Sequence, residues 1–176
     1  AEAGYGPDNP LKTELWAMPV PRPYMPQPER IGVAIQNYLR DVGIEAEIVT
    51  YEWGTYLEKT GAGEHTMALL GWTGDNGDPD NFLYVLLDKD NANYPDAGNI
   101  AYYINDEVHD LLIAARTTTD QAERTRLYEQ AQVKIMEDAP WVPLMRTRVP
   151  IAVRKGITGY VPSPTGSESL AKVSMP

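Results

Sequence analysis

Apolar and polar positions change period several times along this chain, and each change predicts an element. From Leu11 to Met18, Leu11, Thr13, Leu15 and Ala17 alternate with Lys12, Glu14, Trp16 and Met18. A period of two predicts a strand. Pro19-Val20-Pro21-Arg22-Pro23-Tyr24-Met25-Pro26 follows, too rich in proline to extend a sheet. Ile31, Ile35, Leu39 and Val42 then recur at helical spacing, which predicts a helix over about 28–42 that Gly43 ends. Ile44, Ala46 and Ile48 alternate with Glu45 and Glu47 in a second strand, 44–51. A short helix over 54–60 leads through Gly61-Ala62-Gly63 to a third strand, 66–71. Its unbroken apolar run suits burial on both faces.

Strand, helix, strand, helix, strand is the repeat of a parallel sheet in an α/β fold. The second half reads as helical. One helix starts at Pro79, one covers about 106–116 and one covers about 120–139, where Asp120 and Glu123 form a capping-box pair. Residues 88–104 between them are loop-like and rich in Asp, Asn and Gly. After Pro140 the texture turns to short β-like pieces at 142–149 and 151–154, then to a Pro-, Ser-, Thr- and Gly-rich end.

Composition narrows the possibilities. The 176 residues are enough for one sizeable core. A net charge of −10 argues against nucleic acid and anionic membrane surfaces as partners. With no cysteine, thiol catalysis, disulfides and thiolate metal sites are excluded. No apolar run reaches the length of a membrane span, and no signal peptide is visible.

The stretch Gly71-Trp72-Thr73-Gly74-Asp75-Asn76-Gly77-Asp78-Pro79-Asp80-Asn81-Phe82 carries most of the chemistry. It holds three carboxylates, two amides and three glycines between two apolar runs. Ligands of parallel α/β sheets bind at the carboxyl ends of the strands. Arg22 and Tyr24 follow the first strand, Tyr51, Glu52 and Trp53 the second, and Trp72, Thr73 and Asp75 the third. A guanidinium grips a carboxylate with two parallel hydrogen bonds, a carboxylate accepts from an ammonium, and aromatic rings give broad apolar contact. That set suits a zwitterion whose charges lie about 6–7 Å apart, roughly two residues of extended chain.

Plainer roles compete for each residue. A loop arginine is ordinarily solvated or in a salt bridge, and Trp53 and Trp72 suit core packing. Asp78 or Asp80 suits the cap of the helix at Pro79; Asp75 is the least easily explained that way. Other chemistries fit worse. Asp75–Asp80 lacks the glycine an EF-hand needs at its sixth position, and His65 and His109 have no partner at zinc-binding spacing, so no metal site is assigned. No nucleophile elbow or phosphate loop is present. His65 reads as a surface residue at a strand entry.

Leu15-Trp16-Ala17-Met18-Pro19-Val20, Arg22-Pro23-Tyr24, Ile48–Gly54 and Gly71–Phe82 resemble the dipeptide-binding members of the peptide/nickel solute-receptor family, solute-binding protein family 5. So do Tyr128–Gln132 and Lys155–Tyr160. The resemblance implies a periplasmic-binding-protein type II fold: two lobes that close on a short peptide and deliver it to an ABC permease in the membrane. It implies a periplasmic receptor without cofactor or enzymatic activity. It makes this chain the C-terminal third, with 1–146 in the second lobe, 147–176 returning to the first, and the main part of the N-terminal lobe missing. It assigns Asp75 to the peptide amine and Arg22 to the carboxylate, with Trp72 and Tyr24 lining the pocket. The family often closes the loop after the motif helix with a disulfide; the cysteine-free 88–104 must close otherwise. Alternatives are another cargo of the same family (an oligopeptide, glutathione, haem or a nickel chelate), a carboxylate-dependent α/β hydrolase using Asp75 and Glu52, or an interaction domain with no small ligand.

Overall fold

Three parallel strands organise the first half of the chain in the computed structural model, which describes residues 3–6, 8–148 and 150–175. β1 (Leu11–Trp16) lies between β2 (Ile44–Val49) and β3 (Met67–Ala68). The helices are α1 (Pro28–Asp41), α2 (Trp53–Gly61), α3 (Asp80–Leu87), α4 (Asp106–Thr117) and α5 (Gln121–Asp138), with a 3-10 turn at Lys89–Asn91. The α/β class and the parallel order of elements match the sequence pattern. β3 is shorter than its apolar run, although Leu69 continues the ladder by donating to Trp16 O at 2.8 Å.

The period of two sorts residues onto two covered faces. Gly32 of α1 sits against Ala17, Ile48 and Leu69, which share one face of the sheet. Trp16 points the other way and meets Tyr56 of α2, with ring centroids 6.1 Å apart. The Tyr56 hydroxyl reaches the carbonyls of Leu69 (2.8 Å) and Trp16 (3.1 Å). It thereby ties α2 to β1 and to the end of β3, and burial holds its ionisation well above the ordinary tyrosine range.

A second core lies beyond the motif loop. Leu86 and Leu87 of α3, Val108, Leu112 and Ala115 of α4, and Leu127, Tyr128, Ala131 and Ile135 of α5 pack together. Asn105 caps α4 by accepting from Val108 N–H at 3.0 Å, and Asp120 caps α5 by accepting from Glu123 N–H at 2.8 Å. Only half of the expected capping box forms, because the Glu123 carboxylate turns to Arg126 instead (2.6 and 2.8 Å).

The loop 88–104 joins the two cores and closes without cysteine. Asn99, fully buried, donates to Asp88 O (3.2 Å) and Tyr103 O (2.8 Å), and its backbone N–H donates to Asn91 O (3.0 Å). Asp88, also 0% exposed, accepts from His109 Nδ1 at 3.0–3.1 Å and from Asp90 N–H at 2.9 Å. On the other side Tyr102 O–H and Ala97 N–H both donate to Gly61 O at the end of α2 (2.6 and 3.1 Å).

Three expectations need correcting. The pieces at 142–148 and 151–154 form no strands among the described residues, and Val149 lies outside them. They are β-forming by composition but have no neighbouring strand to complete a ladder. The described residues from Trp141 onward are irregular, pinned by a Thr158–Ser174 backbone pair (3.0 Å in both directions) and by Tyr160 O–H donating to Glu168 (2.8 Å). His65 is half-buried beside Trp16, ring centroids 5.8 Å apart, rather than on the surface. Trp72 is 40% exposed and belongs to neither core.

Two measurements check this description. Replacing His109 by Ala strands the buried Asp88 carboxylate, and chemical denaturation should show a loss of about 3 kcal/mol; a loss under about 0.5 kcal/mol would contradict the latch. Burial lowers the His65 pKa, and its Nδ1 has no hydrogen-bond partner among the described residues, so the native state binds this proton less readily than the unfolded chain. Its contribution is present above about pH 6.5, the unfolded value, and fades as pH falls below it. Thermal melts between about pH 7 and 5 should therefore fall less steeply for His65→Gln than for the parent; equal slopes would refute this.

Candidate functional site at the strand ends

Register puts every candidate residue on one edge. Trp16 pairs with Val49 on one side and with Ala68 on the other, so all three strands end at the same level. The segments that follow them carry Arg22 and Tyr24, Tyr51 to Trp53, and Trp72 to Asp75.

The first segment is a tight turn. Arg22 and Met25 exchange backbone hydrogen bonds (3.1 and 2.9 Å), and Pro21 and Pro23 restrict the backbone around Arg22. The Arg22 guanidinium lies 4.3 Å from the centroid of the Trp53 ring. Trp53 in turn stacks on Tyr56 (5.8 Å, 14°). The Trp53 ring thus holds the guanidinium by a cation–π contact rather than an ion pair. Among the described residues Arg22 has no ion-pair partner.

Two glycines let aromatic rings lie on the motif loop. A Cβ on Gly71 would come within 2.5 Å of the Tyr24 ring, and one on Gly74 within 2.5 Å of the Phe82 ring. The first contact joins the Arg22 turn to the motif loop directly. Tyr24 is half-buried there, and burial raises its hydroxyl pKa against the opposing pull of Arg22 and of a backbone bond at Gly71.

The loop tip is held from both ends. Asn81 Oδ1 accepts from Trp72 Nε1 (3.0 Å) and Asp75 N–H (2.9 Å), while its Nδ2 donates to Asp75 Oδ2 (3.1 Å). Asp78 accepts from Asp80 N–H (2.9 Å) at the start of α3. It also receives both terminal nitrogens of Arg124, each at 2.8 Å, which hold its carboxyl below the usual range. Arg124 donates through Nε to Ala115 O (2.9 Å), so α4, α5 and the loop share one guanidinium. Asp78 therefore takes up the first N–H of α3 from one residue before its N-cap, Pro79, and Asp80 pairs with Arg116 (3.0 Å). Asp75 is exposed and has no ion-pair partner among the described residues.

The structure thus places Arg22, Tyr24, Trp72 and Asp75 on neighbouring loops of one edge, and brings Tyr24 onto the motif loop. Two hollows, of about 370 and 390 Å³, are lined by Lys12, Gln36, Arg40 and β2, and by Pro19, Pro21 and Pro26–Arg30; neither includes these four residues. The edge is an open face with a half-buried cation, Arg22, and an exposed anion, Asp75. Glu52 caps α2, accepting from Gly54 N–H (2.9 Å) and Thr55 N–H (3.3 Å), which commits the second carboxylate of a hydrolase reading. Asp88, Asp90 and His109 have ligand-like spacing, but the Asp88 oxygens are already engaged by His109 and Asp90. Asn81 and Arg124 escape sequence reasoning. Arg124 lies 46 residues from Asp78, and an Asn in a first helical turn is ordinarily just a turn residue.

Comparison with known proteins places the chain in a family. Residues 1–94 match the family described as "Bacterial extracellular solute-binding proteins, family 5 Middle". The dipeptide-binding protein of Escherichia coli (strain K12) is 41% identical over 97% of this chain and 31% of its own length. Heme-binding protein A of Haemophilus influenzae is 39% identical over 99% of this chain and 31% of its own. Among solved structures, the dipeptide binding protein from Pseudoalteromonas sp. SM9913 in complex with Met-Leu superposes with a TM-score of 0.82 at 34% identity. It covers 100% of this chain and 34% of that one. The ABC transporter-associated periplasmic binding protein DppA from Helicobacter pylori, in complex with the peptide STSA, gives 0.77 at 38% identity, over 99% of this chain and 32% of that one. The chain spans about a third of the length of these relatives, which are binding proteins and not enzymes. With a family match over more than half its length, the chain belongs to the bacterial extracellular solute-binding proteins of family 5.

Proposed function

We propose that this segment supplies the charged half of a binding site for short peptides in a periplasmic receptor that serves an ABC permease. Asp75 accepts from the peptide ammonium and Arg22 donates to its carboxylate. Trp72 and Tyr24 supply apolar walls that tolerate varied side chains. The observation that carries the reading is that Arg22 and Asp75, on neighbouring loops of one edge, both lack an ion-pair partner among the described residues. Elsewhere in the same region charges are spent: Asp78 on Arg124, Asp80 on Arg116, Glu52 on a helix start. Relatives whose names state dipeptide or di/tripeptide binding support the cargo class. A haem-type cargo is the second reading, favoured by the 39% identity to heme-binding protein A; it leaves the charge pair without opposite ligand termini to hold.

Residues 1–146 form part of one lobe in this reading, and 147–176 pass to another that lies outside this segment. The exposure of Val142 (80%), Val161 (71%) and Leu170 (66%) on an irregular tail is consistent with apolar surface that another lobe covers. Closure of that lobe would exclude water and strengthen both charge pairs.

Isothermal titration of the complete receptor with a dipeptide checks the assignment. Asp75→Asn and Arg22→Ala should each weaken binding by about tenfold or more. C-terminal amidation of the peptide should cost the parent far more than it costs Arg22→Ala; equal costs would remove Arg22 from the site. The segment alone should bind a dipeptide far more weakly than about 1 μM, and micromolar affinity from it would show that a second lobe is not needed.

A further inference from the structure

We propose that Asn81 is a positioning residue for ammonium recognition, fixing the Asp75 carboxylate so that one oxygen is held and the other is presented to the ligand. The inference rests on Asp75 being the ligand-facing carboxylate. It goes further by saying how that carboxylate is oriented and which residue a ligand-contact survey would miss.

An Asp carboxylate rotates through a broad torsional well and pays entropy when a ligand stops it. Asn81 removes much of that freedom in advance. Its Nδ2 donates to Asp75 Oδ2 at 3.1 Å. Among the described residues Asp75 Oδ1 has no hydrogen-bond partner, so this oxygen keeps its lone pairs for an incoming N–H. The orientation of the Asn81 amide is itself determined. Trp72 Nε1 (3.0 Å) and Asp75 N–H (2.9 Å) are both donors aimed at Oδ1, and an amide turned over would set its own N–H groups against them. The indole of Trp72 therefore has a second use besides apolar contact: it sets the amide that sets the carboxylate.

Asparagine is well matched to this place. Aspartate has the acceptors but no donor for Asp75 and would add a like charge beside it. Serine has the donor but a shorter reach, and glutamine carries an extra methylene. Asn81 is also well founded. It lies in the first turn of α3 with its own N–H bonded to Asp78 O (3.2 Å), and Asp78 is clamped by Arg124. Rigid support beneath a binding carboxylate lowers the cost of ordering it on binding.

The test is a double-mutant cycle in the complete receptor, titrated with the dipeptide Ala-Leu. Asn81→Ala should weaken binding by about tenfold, the effect of losing one hydrogen bond to a charged group. Asp75→Asn should weaken it at least as much. The double substitution should bind within about threefold of Asp75→Asn alone, because Asn81 acts through the carboxylate. General loosening of the loop would not give this result, since it would weaken binding whether or not the Asp75 carboxylate is present and make the double variant clearly weaker. Ligand-free tryptophan emission should change on Asn81→Ala, and the change should vanish in a Trp72→Phe background. Multiplying losses, or an Asn81→Ala affinity equal to the parent, would overturn the positioning role. An unchanged affinity in Asp75→Asn would instead overturn the ligand-facing role of Asp75 and with it this inference.

Discussion

The parallel register of β1 with both its neighbours is the constraint on which the rest depends. Because Trp16 is level with Val49 and with Ala68, three chain exits are forced onto one edge. Residues far apart in sequence then share a surface without any long-range side-chain design. Sterics finish the arrangement: prolines hold the Arg22 turn, and glycines at 71 and 74 admit aromatic rings that a Cβ would exclude.

Two kinds of charge divide the labour around that edge. Structural charges are paired or hydrogen-bonded inside the protein, as Asp78 is to Arg124, Asp80 to Arg116 and Asp88 to His109. Arg22 and Asp75 are held by neutral partners instead, an indole face for one and a side-chain amide for the other. Neutral support fixes position without cancelling charge, which keeps the electrostatic attraction available to a ligand. The negative overall charge of the chain is thus uninformative about this edge, where one cation and one anion lack ion-pair partners among the described residues.

Much of this was legible in the sequence, for identifiable reasons. α1 and β2 follow from clean periodicities, and the strand-end rule located Arg22, Tyr24, Trp72 and Asp75 because it depends only on element order. Closure of the loop 88–104 was not legible, since Asn99 selects backbone carbonyls that only the folded path brings within reach. The Asp78–Arg124 clamp escaped for the same reason, its members being separated by α3 and α4. His65 was misjudged, since a histidine in a polar context is half-buried against Trp16, and of the two roles open to Trp72 core packing fails because the indole is exposed. The tail shows the limit of β-propensity, which needs a partner strand before it becomes structure.

The most direct test is a crystal structure of the complete receptor closed on a dipeptide. The account predicts one Asp75 oxygen within about 3 Å of the peptide nitrogen, its other oxygen still on Asn81, and Arg22 forked on the peptide carboxylate while resting on Trp53. A bound peptide whose termini contact other residues, with Arg22 and Asp75 turned to protein partners, would contradict it.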